Sequence, residues 1–223
     1  MTSTLLNEIY DQYMEIAMRQ KQQSKTLTDF NVSSEESDSK VTPRKGLAES
    51  TRHIESVRPT KTTTATRATV WFVLGPIGAG KSTYIHHVMK EHPHLTLLSA
   101  DILKRDHNLS YLETRNLMER IIKGHVDSGI SFITEGTGQH DDLYDLFVEY
   151  KQNDSLDLRV TYIDVDIEVA LERNRKRTRV LTDDTVREVH ERCGVRRHRW
   201  KDFGCEYISY KDLLVKSAVD GIY

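Results

Sequence analysis

The chain has 223 residues, of which 37% are hydrophobic, with a net charge of −2 and two cysteines. That is room for one α/β domain plus a tail, and the near-neutral balance speaks against a dedicated polyanion binder, so nucleic acid is not the expected partner. No apolar run reaches the ~20 residues of a membrane span and nothing resembles a secretory leader; the expected setting is cytoplasmic, with no membrane partner and with Cys193 and Cys205 as reduced thiols.

Leu5, Leu6, Ile9, Tyr13, Ile16 and Ala17 recur at helical spacing and predict an amphipathic helix over about residues 4–21. Such a helix could dock on the following core, fold over its ligand cleft as a restraint, or meet a partner protein. From Ser24 to Arg67 the chain is rich in Ser, Thr, Lys and Glu with almost no apolar content, and reads as a disordered linker. The domain boundary therefore falls near residue 66, with a tail over 1–66 and a folded domain over 67–223.

From Thr69 onward strands and helices alternate. Strands are predicted at 69–74, 95–99, 130–134, 158–164 and, shorter, at 206–209. Helices are predicted from Lys81 to about Lys90, from Ser110 to Asp127, over 141–152, from near Ile167, and from Asp183 to Arg199. Leu112, Leu117, Ile121, Ile122 and Val126 form the expected core face of the second of these helices. Short apolar strands alternating with helices imply a mostly parallel sheet covered on both faces, a three-layer α/β/α fold.

The most specific signal lies between the first strand and the first of these helices. Residues 75–82 read G-P-I-G-A-G-K-S, the phosphate-binding loop pattern in its required strand-to-helix setting. Gly75, Pro76, Ile77, Gly78, Ala79 and Gly80 would curl the backbone so that its N–H groups face phosphate oxygens, and Lys81, Ser82 and Thr83 would open a helix with its positive end toward them. Lys81 would reach the β- and γ-phosphates and Ser82 would ligate Mg²⁺, with ATP or GTP as the phosphate donor.

Ligands of open parallel sheets gather at the carboxyl ends of strands, where further candidates lie. Asp101 follows the second strand; it could act as general base toward an attacking hydroxyl, hold Mg²⁺ through water, or cap the next helix. Lys104 and Arg105 behind it could touch an anionic acceptor or remain surface charges. Glu135 and Thr137 end the third strand, flanked by Gly136 and Gly138; the carboxylate could orient an acceptor, hold a metal-bound water, or pair with a lysine. Arg173, Arg175, Arg177 and Arg179 follow the fourth strand, where a lid arginine could neutralise a transferring phosphoryl group. Four alternate positions cannot all face one ligand; Arg173 and Arg177 share a helical face.

From Glu172 to Lys201 the chain holds eleven Arg and Lys against five Asp and Glu. The run Arg196-Arg197-His198-Arg199-Trp200-Lys201 could be a polynucleotide groove with Trp200 as stacking platform, or a helix surface with Trp200 buried. The histidines between His86 and His94 lack an i, i+4 pair and a nearby cysteine, so a metal site is not expected there.

Taken together, G-P-I-G-A-G-K-S (75–82), A-D-I-L-K-R-D-H-N (100–108), I-T-E-G-T-G (133–138) and A-L-E-R (170–173) resemble the zeta-toxin family of P-loop kinases over about Ala68 to Val189. The resemblance implies transfer of a γ-phosphate to a hydroxyl of a small nucleotide-like acceptor, typically UDP-N-acetylglucosamine. It would make Asp101 the base, Lys81 and Ser82 the triphosphate and Mg²⁺ ligands, Glu135 and Thr137 the acceptor contacts, and Arg173 and Arg179 the lid arginines. The lid is shorter than is usual in that family, and the long tail lies outside its minimal domain. A polynucleotide 5′-hydroxyl or nucleotide kinase is the competing enzyme reading. A non-catalytic nucleotide switch is the competing reading of another class, although the Asn-Lys-x-Asp guanine-reading motif is absent from the chain.

Overall fold

The computed structural model describes residues 3–35, 67–139, 142–152 and 156–213. The first helix, α1 (Ser3–Glu35), is longer than the predicted 4–21. No Gly or Pro interrupts that segment, so nothing local stops the helix where the apolar spacing fades. Residues 24–35 of the expected linker are thus helical, and 36–66 lie outside the described residues.

Five strands follow: β1 (Ala68–Leu74), β2 (Thr96–Leu98), β3 (Phe132–Gly136), β4 (Leu156–Asp164) and β5 (Glu206–Ser209). All pair in parallel, in the order β2-β3-β1-β4-β5, so β1 runs through the middle. Between them lie α2 (Lys81–Glu91), α3 (Ala100–Asp106), α4 (Tyr111–Asp127), α5 (Asp142–Gln152), α6 (Ile167–Arg175), α7 (Asp183–Arg196) and a 3₁₀ turn, Arg197–Phe203.

Strand alternation sorts side chains between two cores. Val70, Phe72 and Leu74 of β1 pack with Leu117 and Ile121 of α4 and Phe147 of α5. Val73 packs on the opposite side with Ile85 and Val88 of α2 and Ala170 and Leu171 of α6. The result is the expected three-layer arrangement.

Several boundaries moved for identifiable reasons. β2 shrinks to three residues because Ser99 becomes the N-cap of α3, a short helix the apolar pattern did not predict. β3 lies two residues later than expected, extending through Glu135 and Gly136. Ser110 caps α4 in a reciprocal capping box with Glu113, whose carboxylate the Ser110 hydroxyl and N–H hold down at about 2. Leu112 therefore falls in the first turn and is 60% exposed, not part of the core, and buried Thr114 and Met118 join Leu117 and Ile121 on the inner face.

α1 packs on α4. Ile9 and Ala17 are buried, and Gly124 makes the approach close: a Cβ there would lie 2.5 Å from the Tyr10 hydroxyl and 3.0 Å from the Met14 sulfur. Lys21 donates to the Ser128 carbonyl at the C-cap of α4 (2.6 Å), placing a cation at the negative end of that helix. The Thr96 hydroxyl of β2 donates to Gln20 (2.8 Å).

His125, in the last turn of α4, is fully buried, edge-on to Phe132. Its Nδ1 lies 2.9 Å from the Ile121 carbonyl, and its Nε2 has no partner among the described residues. Burial pushes its pKa below the ordinary 6.5, against a smaller upward pull from the Ile121 bond. The folded state thus resists a proton that the unfolded chain accepts. The contribution is intact above about pH 6.5 and is lost as pH falls below it, at no more than about 1.4 kcal/mol per pH unit. In urea unfolding, wild type is expected to lose more stability between about pH 7 and 5 than His125→Phe does. Equal losses in the two proteins would remove His125 from the acid sensitivity.

Candidate active site

Parallel register brings the sequence-predicted candidates to one edge. Leu74 pairs with Gly136 and Leu98 with Thr134, so Gly75, Ala100 and Thr137 emerge at nearly one level. The crevice at these carboxyl ends is where an open α/β sheet presents its ligand site.

The loop after β1 is held close to its neighbours. A Cβ on Gly75 would lie 2.5 Å from the Ile163 carbonyl of β4, and at Gly78 (φ 78°) one would meet the Ala170 backbone of α6 at 3.0 Å. Residues 77–83 line a cavity of about 500 Å³ together with Asp101, Glu135, Thr137, Arg173 and Arg177. Gly75 and Pro76 turn their carbonyls to Lys81, which donates to them at 2.9 and 3.0 Å. Burial pushes the Lys81 ammonium below its ordinary 10.5, while Glu135 pulls it back up most strongly among the nearby charges. Ser82 lines the same cavity, with Asp101 and Glu135 as the nearby carboxylates.

A second cavity of about 260 Å³ adjoins the first and shares Ala100, Asp101, Glu135, Gly136 and Thr137 with it. Its remaining walls include Phe72, Met118, Leu143, Leu146 and Trp200, with Lys104, Arg115 and Glu119 among the charged groups. The two carboxylates therefore stand on the wall common to both spaces.

Asp101 occupies the first turn of α3, exposed, and does not cap it; Ser99 holds the cap position. The Ser99 hydroxyl donates instead to Glu135 (3.3 Å), tying the end of β2 to the end of β3. The Thr137 carbonyl accepts the Cys193 thiol of α7 at 2.9 Å. Burial pushes that thiol up to about 11, so it is a neutral donor fixing the loop from behind. Nothing in the sequence around Cys193 signalled this role.

Arg105 does not reach the site: it is exposed, bonds its neighbour Asp106 at 2.7 Å and lines neither cavity, whereas Lys104 lines the second. Arg173 donates to the Gly78 carbonyl (2.8 Å) and lies over the Tyr210 ring (5.3 Å). Arg177, not Arg179, is the other arginine lining the first cavity; Arg179 is exposed and lines neither. The reason is local. Buried Asn174 bonds the carbonyl (2.8 Å) and N–H (3.2 Å) of Leu181, pinning the base of the 175–181 loop and leaving Arg179 within its outer span. Arg175 pairs with Asp183 at 2.5 Å.

Trp200 is 2% exposed and packs against Phe72, Tyr144 and Phe203, so it is not an open stacking platform. The cations around it have separate engagements: Arg196 with the Gln139 carbonyl, Arg197 with Asp164, Arg199 over the Tyr144 ring. Among the described residues none from α1 lines either cavity; the helix packs on α4, the docking on the core that the sequence allowed. Leu213 of the C-terminal segment lines the first cavity, 3.0 Å from where a Gly80 Cβ would sit, and escaped sequence reasoning. Among the described residues no helix is long and apolar enough to cross a membrane.

No curated protein matches this chain. Among solved structures, a chain of the Pnkp1/Rnl/Hen1 RNA repair complex matches with TM-score 0.52 and 13% identity, over 62% of this chain and 48% of that one. The present chain thus spans about half the length of that match. The PezAT chromosomal toxin-antitoxin system of the human pathogen Streptococcus pneumoniae matches with TM-score 0.53 and 13% identity, over 65% of this chain and 69% of that one. Shikimate kinase from Acinetobacter baumannii matches with TM-score 0.47 and 13% identity, over 70% and 94%. At such identities the first two likenesses speak to the fold alone. Residues 70–196, more than half of the 223, match the family described as AAA domain. With its phosphate-binding loop at the centre of a three-layer, P-loop kinase-like fold, the chain belongs to the AAA domain family.

Proposed function

We propose that this protein is a kinase that transfers the γ-phosphate of ATP or GTP to a hydroxyl of a small acceptor seated in the second cavity. One observation carries the reading: Asp101 and Glu135 line both the phosphate-loop cavity and its neighbour, so a carboxylate stands where donor and acceptor would meet. The loop N–H groups and Lys81 hold the donor's β- and γ-phosphates, while Arg173 and Arg177 offset charge on the equatorial oxygens. Asp101 accepts the hydroxyl proton as the acceptor oxygen bonds to Pγ; the bond from Pγ to the bridging oxygen breaks, and the nucleoside diphosphate leaves. Ser82 and Glu135 offer oxygen donors of the kind Mg²⁺ takes, and that ion would neutralise charge on the donor's phosphates.

The resemblance to zeta toxins, together with the likeness in fold to the PezAT system, makes a UDP-sugar the first anionic acceptor to test. A polynucleotide 5′-hydroxyl is the other. Incubation with γ-labelled ATP or GTP and a metabolite extract is expected to label a small molecule with wild type and not with Asp101→Asn. Tight nucleotide binding with no Asp101-dependent transfer to any acceptor would leave only a nucleotide-binding switch.

A further inference from the structure

We propose that the acceptor is an uncharged hydroxyl compound with a compact, planar apolar body, not a phosphorylated one. This presupposes the kinase reading, which makes the second cavity the acceptor's seat. Three features of that cavity select the class.

The first is its floor. Phe72 and Trp200 line it from almost wholly buried positions, and the backbone packs close on both: a Cβ on Gly136 would lie 3.2 Å from Phe72 ring carbons, and one on Gly138 would lie 3.3 Å from the Trp200 indole nitrogen. Phe72 and Trp200 meet edge to face, with centroids 5.2 Å apart and an interplanar angle of 77°. Phe147 backs Phe72, and Tyr144 and Phe203 back Trp200, so this corner is held rigid. Met118, Leu143 and Leu146 continue the apolar wall. A flat ring fits such a corner, and the unbranched Met118 can adapt to its outline.

The second is charge. The lining holds Asp101, Glu119 and Glu135 with Lys104 and Arg115, and Glu119 is paired with Lys123 at 2.8 Å, so the wall offers no excess of cations. A ligand with two or more negative charges would meet Asp101 and Glu135 on the shared wall with no excess of cations to offset it, and like charges set opposite one another across a contact are strongly disfavoured. The anion-binding equipment lies in the first cavity, where Lys81, Arg173 and Arg177 line the space with the loop. The protein thus separates a site for phosphates from a site that is poor for them.

The third is size and polarity. At about 260 Å³ the space lies just below the roughly 300–1,000 Å³ usual for small-molecule sites. A ring with a short hydroxyl-bearing arm fits; a base, a diphosphate and a sugar together would extend outside. Asp101, Glu135 and Thr137 lie on the wall shared with the first cavity. The acceptor therefore enters with its hydroxyl toward that wall and its apolar body toward Phe72 and Leu146.

A matched pair of probes tests the class. Ligand-observed NMR compares 2-phenylethanol with phenylacetate, which share a ring and differ in charge, and with UDP-N-acetylglucosamine. The alcohol is expected to bind at least about tenfold more tightly than phenylacetate, and the UDP-sugar is expected not to displace it. Leu143→Glu should weaken the alcohol about tenfold while ATP affinity is retained. No binding of the alcohol, equal or tighter binding of either anion, or an unchanged Leu143→Glu variant would overturn the proposal. The wild-type comparison decides even if the variant fails to fold. Transfer of label from γ-labelled ATP separates the two levels. Bound alcohol together with no Asp101-dependent label on any component of a metabolite extract would sink the kinase reading and leave the pocket's preference standing, whereas label on the UDP-sugar would support the kinase and overturn the uncharged class.

Discussion

Asp101→Asn is expected to lower phosphate transfer by about 10²- to 10⁴-fold, the range over which a positioned proton acceptor acts, with ATP affinity changed less than about twofold. The isosteric amide keeps the side chain's shape in the first turn of α3, and the Ser99 cap position and the Ser99–Glu135 bond do not depend on it. The loss should therefore appear in kcat. Single-turnover kinetics with saturating donor would register it directly. A variant rescued by raised Mg²⁺ would instead assign Asp101 to the ion's water shell, and one with full activity would remove it from the chemistry.

Arg177→Ala is expected to cost about 10³-fold or more in kcat, as removal of a transition-state arginine does, whereas Arg179→Ala should stay within about twofold of wild type. The contrast follows from placement: Arg177 lines the phosphate-loop cavity, and Arg179 stands exposed within the loop that Asn174 fastens at its base. Arg173 is a less clean probe, because its bond to the Gly78 carbonyl also shapes the loop that would grip the donor. Its removal should raise KM together with lowering kcat. Steady-state assays on the three variants check this ordering; a larger effect at Arg179 than at Arg177 would mean that the 175–181 loop reorganises when substrates bind.

The phosphate loop was legible because its information is local: fixed residues, fixed spacing, a strand before and a helix after. Glu135 and Thr137 were legible for a related reason, since an apolar run that ends in polar residues marks a carboxyl end. The arginines were not, because the choice between Arg177 and Arg179 depends on Asn174 reaching across to Leu181, a contact no periodicity announces. Arg105 was misplaced because α3 begins directly after β2, so adjacent side chains diverge around a helix and Lys104 turns inward instead. Leu112 failed through the cap: once Ser110 and Glu113 fix the start of α4, its position in the first turn faces water. The second cavity could not have been read at all, since its walls come from β1, α3, α4, α5 and the 3₁₀ turn.

The docking of α1 bears on where this protein can be cut. Residue 67 looked like a natural border, yet the layer outside α4 is supplied from upstream of it, by a helix that nests at Gly124 and latches the end of α4 through Lys21. The packed body is discontinuous in sequence, its outermost slat coming from upstream of residue 36. A fragment starting at the apparent border would lack that slat and bare the notch it occupies, so the leading residues belong to the architecture as much as the strands do.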